Sequence, residues 1–192
     1  MPDANLPALN FLLSRQSRPA KTFTLPVPSR DELSPLLTAA ARVPDHGKLE
    51  PWRFLVLEKP ALKRLADLAE QRAKELGLDD EKIAKGRGQF DAGLLAVAVV
   101  SSPKPSEKIP EIEQVLSAGA VCFNLLTAAT AAGWGANWLS GWPSYDREFI
   151  GQGLGLAPHE TVAGIVHIGT APMTPPDRPR PDIARLTTWV DA

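Results

Sequence analysis

The 192-residue chain has one cysteine, one tyrosine, two methionines and three histidines. A single thiol, Cys122, excludes an intrachain disulfide, and its place inside an apolar run marks it as a small packed hydrophobe, as suits a reducing cytoplasm. His46, His159 and His167 stand far apart, and no HExxH, paired CxxC, GxSxG or Walker loop accompanies them. The sequence therefore gives no support to a metal centre or to a side-chain nucleophile. Excess charge is missing too: 21 basic and 22 acidic residues leave a net charge of −1, with no general attraction for nucleic acid or an anionic membrane. The N-terminus has an early acid and only a brief apolar run, so neither a secretory leader nor a transit peptide is expected. If the chain is an enzyme, the hard chemistry belongs to a bound cofactor.

The most informative absence is local. From Gln114 to Tyr145 there is no charged side chain, in a protein whose residues are 22% charged. The run holds Ala, Thr, Ser and Gly rather than Leu and Ile, which gives little transfer free energy into lipid. It suits a buried helix, because small side chains let other backbones, or a flat ligand, come close. Leu116, Ala120, Phe123, Thr127 and Ala131 form one stripe, and Val121, Leu125, Ala128 and Ala132 another, so this is the expected central helix. Gly133 is placed to cap it in the left-handed conformation, and Gly135 to let the chain turn after it.

What is present in quantity is proline, 19 residues, about twice the usual share of ~5%. Residues 4–13 read as a short helix, followed by Arg15-Gln16-Ser17-Arg18-Pro19. Two guanidiniums and a hydroxyl there form either a solvated helix end or a phosphate grip. A second helix spans 29–42, with Ser29 and Glu32 at capping-box spacing; Pro35 either starts it after Ser34 or kinks its first turns. The polar loop from Arg42 to Trp52 is bounded by Pro44 and Pro51 and is a plausible ligand wall. A strand at 52–58, a helix at 61–76, and a frayed helix with surface loop at 79–89 follow. Residues 94–100, LLAVAVV, form a strand covered on both faces. After the central helix, Ser144 caps a short helix at 145–150, Gly151, Gly153 and Gly155 are turns, and 161–169 is a buried strand whose His167 is a hydrogen-bonded core residue. The arm at 171–181 has five prolines in eleven residues and must be extended; 185–190 can pair as a terminal strand, and such a tail often crosses to a neighbouring subunit. The length suits one domain, 1–192, of α+β class.

Four segments in this order resemble the nitroreductase family of FMN-dependent oxidoreductases: RQS at 15–17, RVPDHGKLEPWRF at 42–54, SAGAVCFNLLTAATAAGWG at 117–135 and NWLSG at 137–141. The similarity is greatest to its short bacterial YdjA-type branch. It implies a nitroreductase-like α+β fold: a central, mostly antiparallel sheet flanked by helices, with an extended C-terminal arm, in a cytoplasmic homodimer that holds FMN at the subunit interface. Carried over by position, Arg15, Gln16 and Ser17 hold the FMN phosphate, and Arg42 and His46 contact the flavin or its ribityl chain. Trp138, Leu139, Ser140 and Gly141 line the isoalloxazine, with the Ser140 or Gly141 N–H directed at flavin N5. The stretch Ala128, Ala129, Thr130, Ala131, Ala132, Gly133 is implied to meet NAD(P). The implied activity passes hydride from NADH or NADPH through FMN to a nitroaromatic, a quinone or an enone, with His46 the candidate proton donor. A flavin-binding protein without turnover is the alternative, and a colourless interaction module a second one. Larger family members often show Asn and Gln where this chain has Lys48 and Glu50, and close relatives can carry a basic residue at Leu139.

Overall fold

The burial of every residue of strand β2 (Leu95–Ser101) sets the layering. A strand rich in Val and Ala, with no polar side for solvent, must be covered on both faces. The structure, a computed structural model describing residues 3–191, covers it with two helical layers. β1 (Trp52–Glu58), β2, β4 (Thr161–Gly169) and β3 (Gly135–Leu139) lie in the order β1-β2-β4-β3, and each neighbouring pair is antiparallel.

One face of the sheet presents Ala96, Ala98, Val100 and Ile165 to α3 (Lys59–Glu75), α4 (Asp80–Asp91) and α6 (Arg147–Leu154), where Leu62, Leu65, Phe90 and Phe149 complete the core. The other face presents Val97, Val99, Val166 and Ile168 to α2 (Arg30–Ala40) and α5 (Glu111–Ala131), through Leu33, Leu36, Val121 and Leu125. This division follows from the period-two alternation of strands. Two polar pins lock α5 to the chain ahead of β1: Ser117 Oγ donates to the Pro44 carbonyl at 2.7 Å, and Asn124 Nδ2 donates to the carbonyls of Ala39 and Arg42. Cys122 is fully buried in this layer, and burial pushes its thiol up to about 12.

The central helix ends as its sequence indicates. Gly133 has φ +88°, its N–H reaches Thr130 O at 3.1 Å, and Trp134 N–H reaches Ala129 O at 3.0 Å. This reciprocal pair is a Schellman cap. By length and mean hydropathy (1.4) α5 is apolar enough to span a membrane, yet one of its faces builds the core. The other face is bare: Leu116 is 65% and Phe123 47% exposed. α1 (Leu6–Ser14) buries none of its residues, leaving Leu6, Leu9, Leu12 and Leu13 in the open.

Several expectations change. Residues 79–89 are not frayed: α4 is a full helix, capped by the Asp79 carboxylate on Lys82 N–H at 2.8 Å and anchored by the fully buried Phe90. Of the two roles open to Pro35, it does not start α2 after Ser34: the helix runs from the Ser29–Glu32 capping box with Pro35 inside it. Gly135 makes no turn; it lies in β3 opposite Gly169, where a Cβ would come within 2.7 Å of Phe23. α6 is capped by Asp146 rather than Ser144, and it runs on through Gly151 and Gly153 to Gly155, which takes φ +67°. His167 is buried but not hydrogen-bonded: neither ring nitrogen has a partner among the described residues. The tail forms no strand with its own chain; α7 (Ile183–Leu186) is a single turn followed by unpaired backbone.

Candidate cofactor site

Residues 15–24 run alongside the outer edge of β3 and are held there by backbone and amide bonds. Arg18 N–H donates to Ala136 O at 3.0 Å, Asn137 Nδ2 donates to Arg18 O at 2.6 Å, and Thr24 bridges to Thr170. Phe23 fills the space above Gly135 and Gly169. The result is that Arg15, Gln16 and Ser17 meet Asn137 around a cleft of about 300 Å³, closed on its far side by Pro175 to Arg178 and Arg180 of the arm. Arg15 is the C-cap of α1, and its guanidinium carbon lies 5.6 Å from the centre of the Phe123 ring. Its Nε is buried and has no acceptor. A guanidinium N–H without a partner is costly away from water, and a charged acceptor would relieve that cost. At present Gln16 Nε2 donates to Asp177 Oδ1 at 2.8 Å; this bond, and Arg180 nearby, hold the Asp177 carboxyl below its usual range.

A second cleft, about 350 Å³, opens at the end of β3 between Leu139, Ser140, Gly141, Trp142 and Pro143 and the helix α4. Trp142 pins the two together: its Nε1 donates to Lys82 O at 3.1 Å, and its indole covers Gly86, where a Cβ would meet the ring at 2.5 Å. Gln89, one turn on, sets its Oε1 against Gly141, 2.7 Å from where a Cβ would stand. Its Nε2 is buried and unpartnered. Sequence reasoning missed Gln89, because one amide in a charged, Gly-interrupted segment carries no periodic signal. Trp138 points to the opposite face of β3, over Gly164, and is 37% exposed.

His46 is not brought to Arg15 within this chain, while the Arg42 carbonyl is held by Asn124. His46 Nδ1 lies 2.8 Å from Glu113 Oε2 in the first turn of α5, whereas Arg15 sits on Phe123, ten residues or about 15 Å further along the axis. Lys48 and Glu50 are exposed on the same loop as His46. Of the stretch implied to meet NAD(P), Ala129 is fully buried and the Thr130 hydroxyl is spent on Leu126 O at 2.8 Å. Ala131, Ala132 and Gly133 are exposed and offer little beyond backbone, while Ala128 is half-buried.

The nitroreductase family profile matches residues 12–170, which includes the whole sheet, the second cleft and the Arg15-Gln16-Ser17 side of the first, but not the arm that closes it. This chain belongs to the nitroreductase family. A nitroreductase relative from Haemophilus influenzae, provisionally named an NAD(P)H nitroreductase, is 34% identical over 165 residues, covering 85% of this chain and 88% of its own. The provisionally named NAD(P)H nitroreductase YdjA of Escherichia coli K12 is 32% identical over 163 residues, with 85% and 87% covered. The crystal structure of a nitroreductase-like family protein from Bacillus cereus superposes with a TM-score of 0.77 at 25% identity, covering 96% of each chain. A provisionally named nitroreductase from Desulfovibrio desulfuricans, solved in complex with FMN, shares the fold with a TM-score of 0.74 at 21% identity, covering 98% of this chain and 99% of its own. The nitroreductase family assignment makes this chain one of a set of oxidoreductases.

Proposed function

We propose that this chain is an FMN-dependent NAD(P)H oxidoreductase that works as a cytoplasmic homodimer, one domain per subunit. The observation that carries the reading is the buried Nε of Arg15, unpartnered among the described residues, in a side chain that lines one cleft with Gln16, Ser17 and Asn137. A phosphate dianion would supply the acceptor this group lacks. The flat part of the cofactor then falls along the end of β3, where Gly141 keeps backbone accessible and the unpartnered Gln89 Nε2 offers a donor to a ring carbonyl. Leu139 and Ser140 complete that wall, whereas Trp138, over Gly164 on the opposite face of β3, stands outside it.

The homodimer reading rests on the bare faces of α1 and α5. Leu9, Leu12, Leu116 and Phe123 are all exposed apolar side chains on these two helices, and a second copy would cover them by two-fold symmetry. That arrangement also brings Arg42 and His46 of one subunit towards the Arg15 cleft of the other. The chemistry that bound FMN would supply is hydride transfer from NADH or NADPH to a small acceptor such as a nitroaromatic, a quinone or an enone. His46, with Nδ1 tied to Glu113, keeps Nε2 for a proton directed at the acceptor.

The deciding experiment is an absorption spectrum of the purified protein before and after anaerobic NADH or NADPH. A yellow protein bleached by either nucleotide supports the reading. Yellow protein bleached by neither indicates flavin binding without turnover, and colourless protein that takes up no FMN indicates an interaction module.

A further inference from the structure

The loop between α2 and β1 holds three residues at positive φ within four positions: Gly47 at +73°, Lys48 at +53° and Glu50 at +48°. Glycine enters that region freely, whereas lysine and glutamate are held there only by their surroundings, and such strained positions gather at functional sites. One residue supplies the hold. Asp45 Oδ1 accepts the Leu49 N–H at 3.1 Å, Oδ2 accepts the Glu50 N–H at 2.9 Å, and the Asp45 main-chain carbonyl accepts the Lys48 N–H at 3.2 Å. Three consecutive amides converge on a single aspartate. Pro44 and Pro51 stiffen the two ends, and Gly47 packs so closely on Ile109 that a Cβ would sit 2.5 Å from its Cδ1. The side chains of His46, Lys48 and Glu50 are all left exposed.

We propose that Asp45 is the positioning residue of the cofactor-facing loop: its carboxylate locks the left-handed backbone that presents His46, Lys48 and Glu50 to a flavin bound across the subunit interface. This rests on the reading above, in which residues 42–50 face FMN. Lys48 and Glu50 carry opposite charges, so the loop conformation decides which sign stands nearer the ring. Asp45 thereby sets both the retention of FMN and the charge beside it, without touching it.

The test uses the full-length protein with Asp45→Ala and Asp45→Asn. Three quantities are read: the FMN dissociation constant by quenching of flavin fluorescence, the midpoint potential of the bound flavin, and the unfolding temperature of the FMN-free protein. Asp45→Ala is expected to weaken FMN about tenfold, the scale of one charge-assisted hydrogen bond, and to shift the midpoint potential. Asp45→Asn, which keeps one acceptor oxygen, is expected to recover most of the affinity, with both FMN-free variants unfolding close to wild type. An unchanged dissociation constant and potential overturn the proposal, and so does a fall in unfolding temperature while the folded protein retains normal FMN affinity and potential. Wild-type protein that takes up no FMN overturns the functional reading itself, a result that no Asp45 variant can imitate.

Discussion

The guanidinium of Arg15 rests on the ring of Phe123, 5.6 Å from its centre, with Nε buried and no oxygen to receive it. The aromatic face orients the cation without satisfying its Nε–H, and in the proposed reading the phosphate of FMN does so. Arg15→Ala is therefore expected to weaken FMN retention by about 1.5 to 3 kcal/mol, the range for a hydrogen bond to a charged group. Equilibrium titration followed by flavin fluorescence checks this, and an unchanged affinity removes Arg15 from the phosphate site.

Gln89 gives a prediction of opposite sign in the two states. Gln89→Leu removes a buried donor that the protein leaves unpaired, so FMN-free stability is expected to hold or rise. FMN affinity is expected to fall by about 0.5 to 1.5 kcal/mol, one neutral hydrogen bond. Thermal unfolding with and without FMN separates the two effects. A variant destabilised in both states to the same degree shows that Gln89 is merely packed.

Leu116, 65% exposed on α5, is placed at the centre of the bare apolar face. Leu116→Glu puts a charge where a second copy must bury it, so the protein is expected to run as a monomer in light scattering coupled to size exclusion. The same variant is expected to lose FMN, because the cofactor site then lacks residues from its second subunit. A monomer that keeps FMN at wild-type affinity refutes the shared site.

Stability should depend on pH through two buried groups. Desolvation alone holds the His167 imidazole down at about 4, against 6.5 when free, so the folded state resists the proton that the unfolded chain accepts. Nothing is lost above pH 6.5, and stability falls as pH drops from there to about 4, by on the order of 3 kcal/mol. Below that, Glu160 takes over: hydrogen bonds from Arg53 at 2.7 Å hold its carboxyl at about 2, so its contribution is complete above 4.5 and is lost as pH falls towards 2. Denaturant melts across pH 3–8 check both, and His167→Leu is expected to flatten the curve between pH 4 and 6.5 while leaving the lower limb. A curve that keeps its slope in that variant rules His167 out.

Much of this architecture can be read from residue order. The strands at 52–58 and 161–169 and the left-handed cap at Gly133 follow from local pattern, because hydrophobic runs and turn residues act over a few positions. β3 escapes such reading. GANWL is short and small-residued, and it becomes a strand only because β4 offers it an edge and Phe23 needs the space above Gly135. α4 was obscured by two glycines, and the value of one is steric: Gly86 admits the Trp142 indole, an advantage invisible without the partner. Arg15-Gln16-Ser17 could be picked out as a candidate site, but the far wall of the cleft they line could not. Asp177 and Arg180 lie some 160 residues away, and their arrival depends on how the proline-rich arm folds back.

Cys122 is the sole sulfhydryl, sealed in the core with its proton held to about pH 12. Thiol-directed probes will therefore ignore the native chain. A cysteine introduced on the exposed tail, such as Thr187→Cys, becomes the one reactive handle, ready for spin labels, dyes or crosslinkers that report where the tail goes when two chains meet.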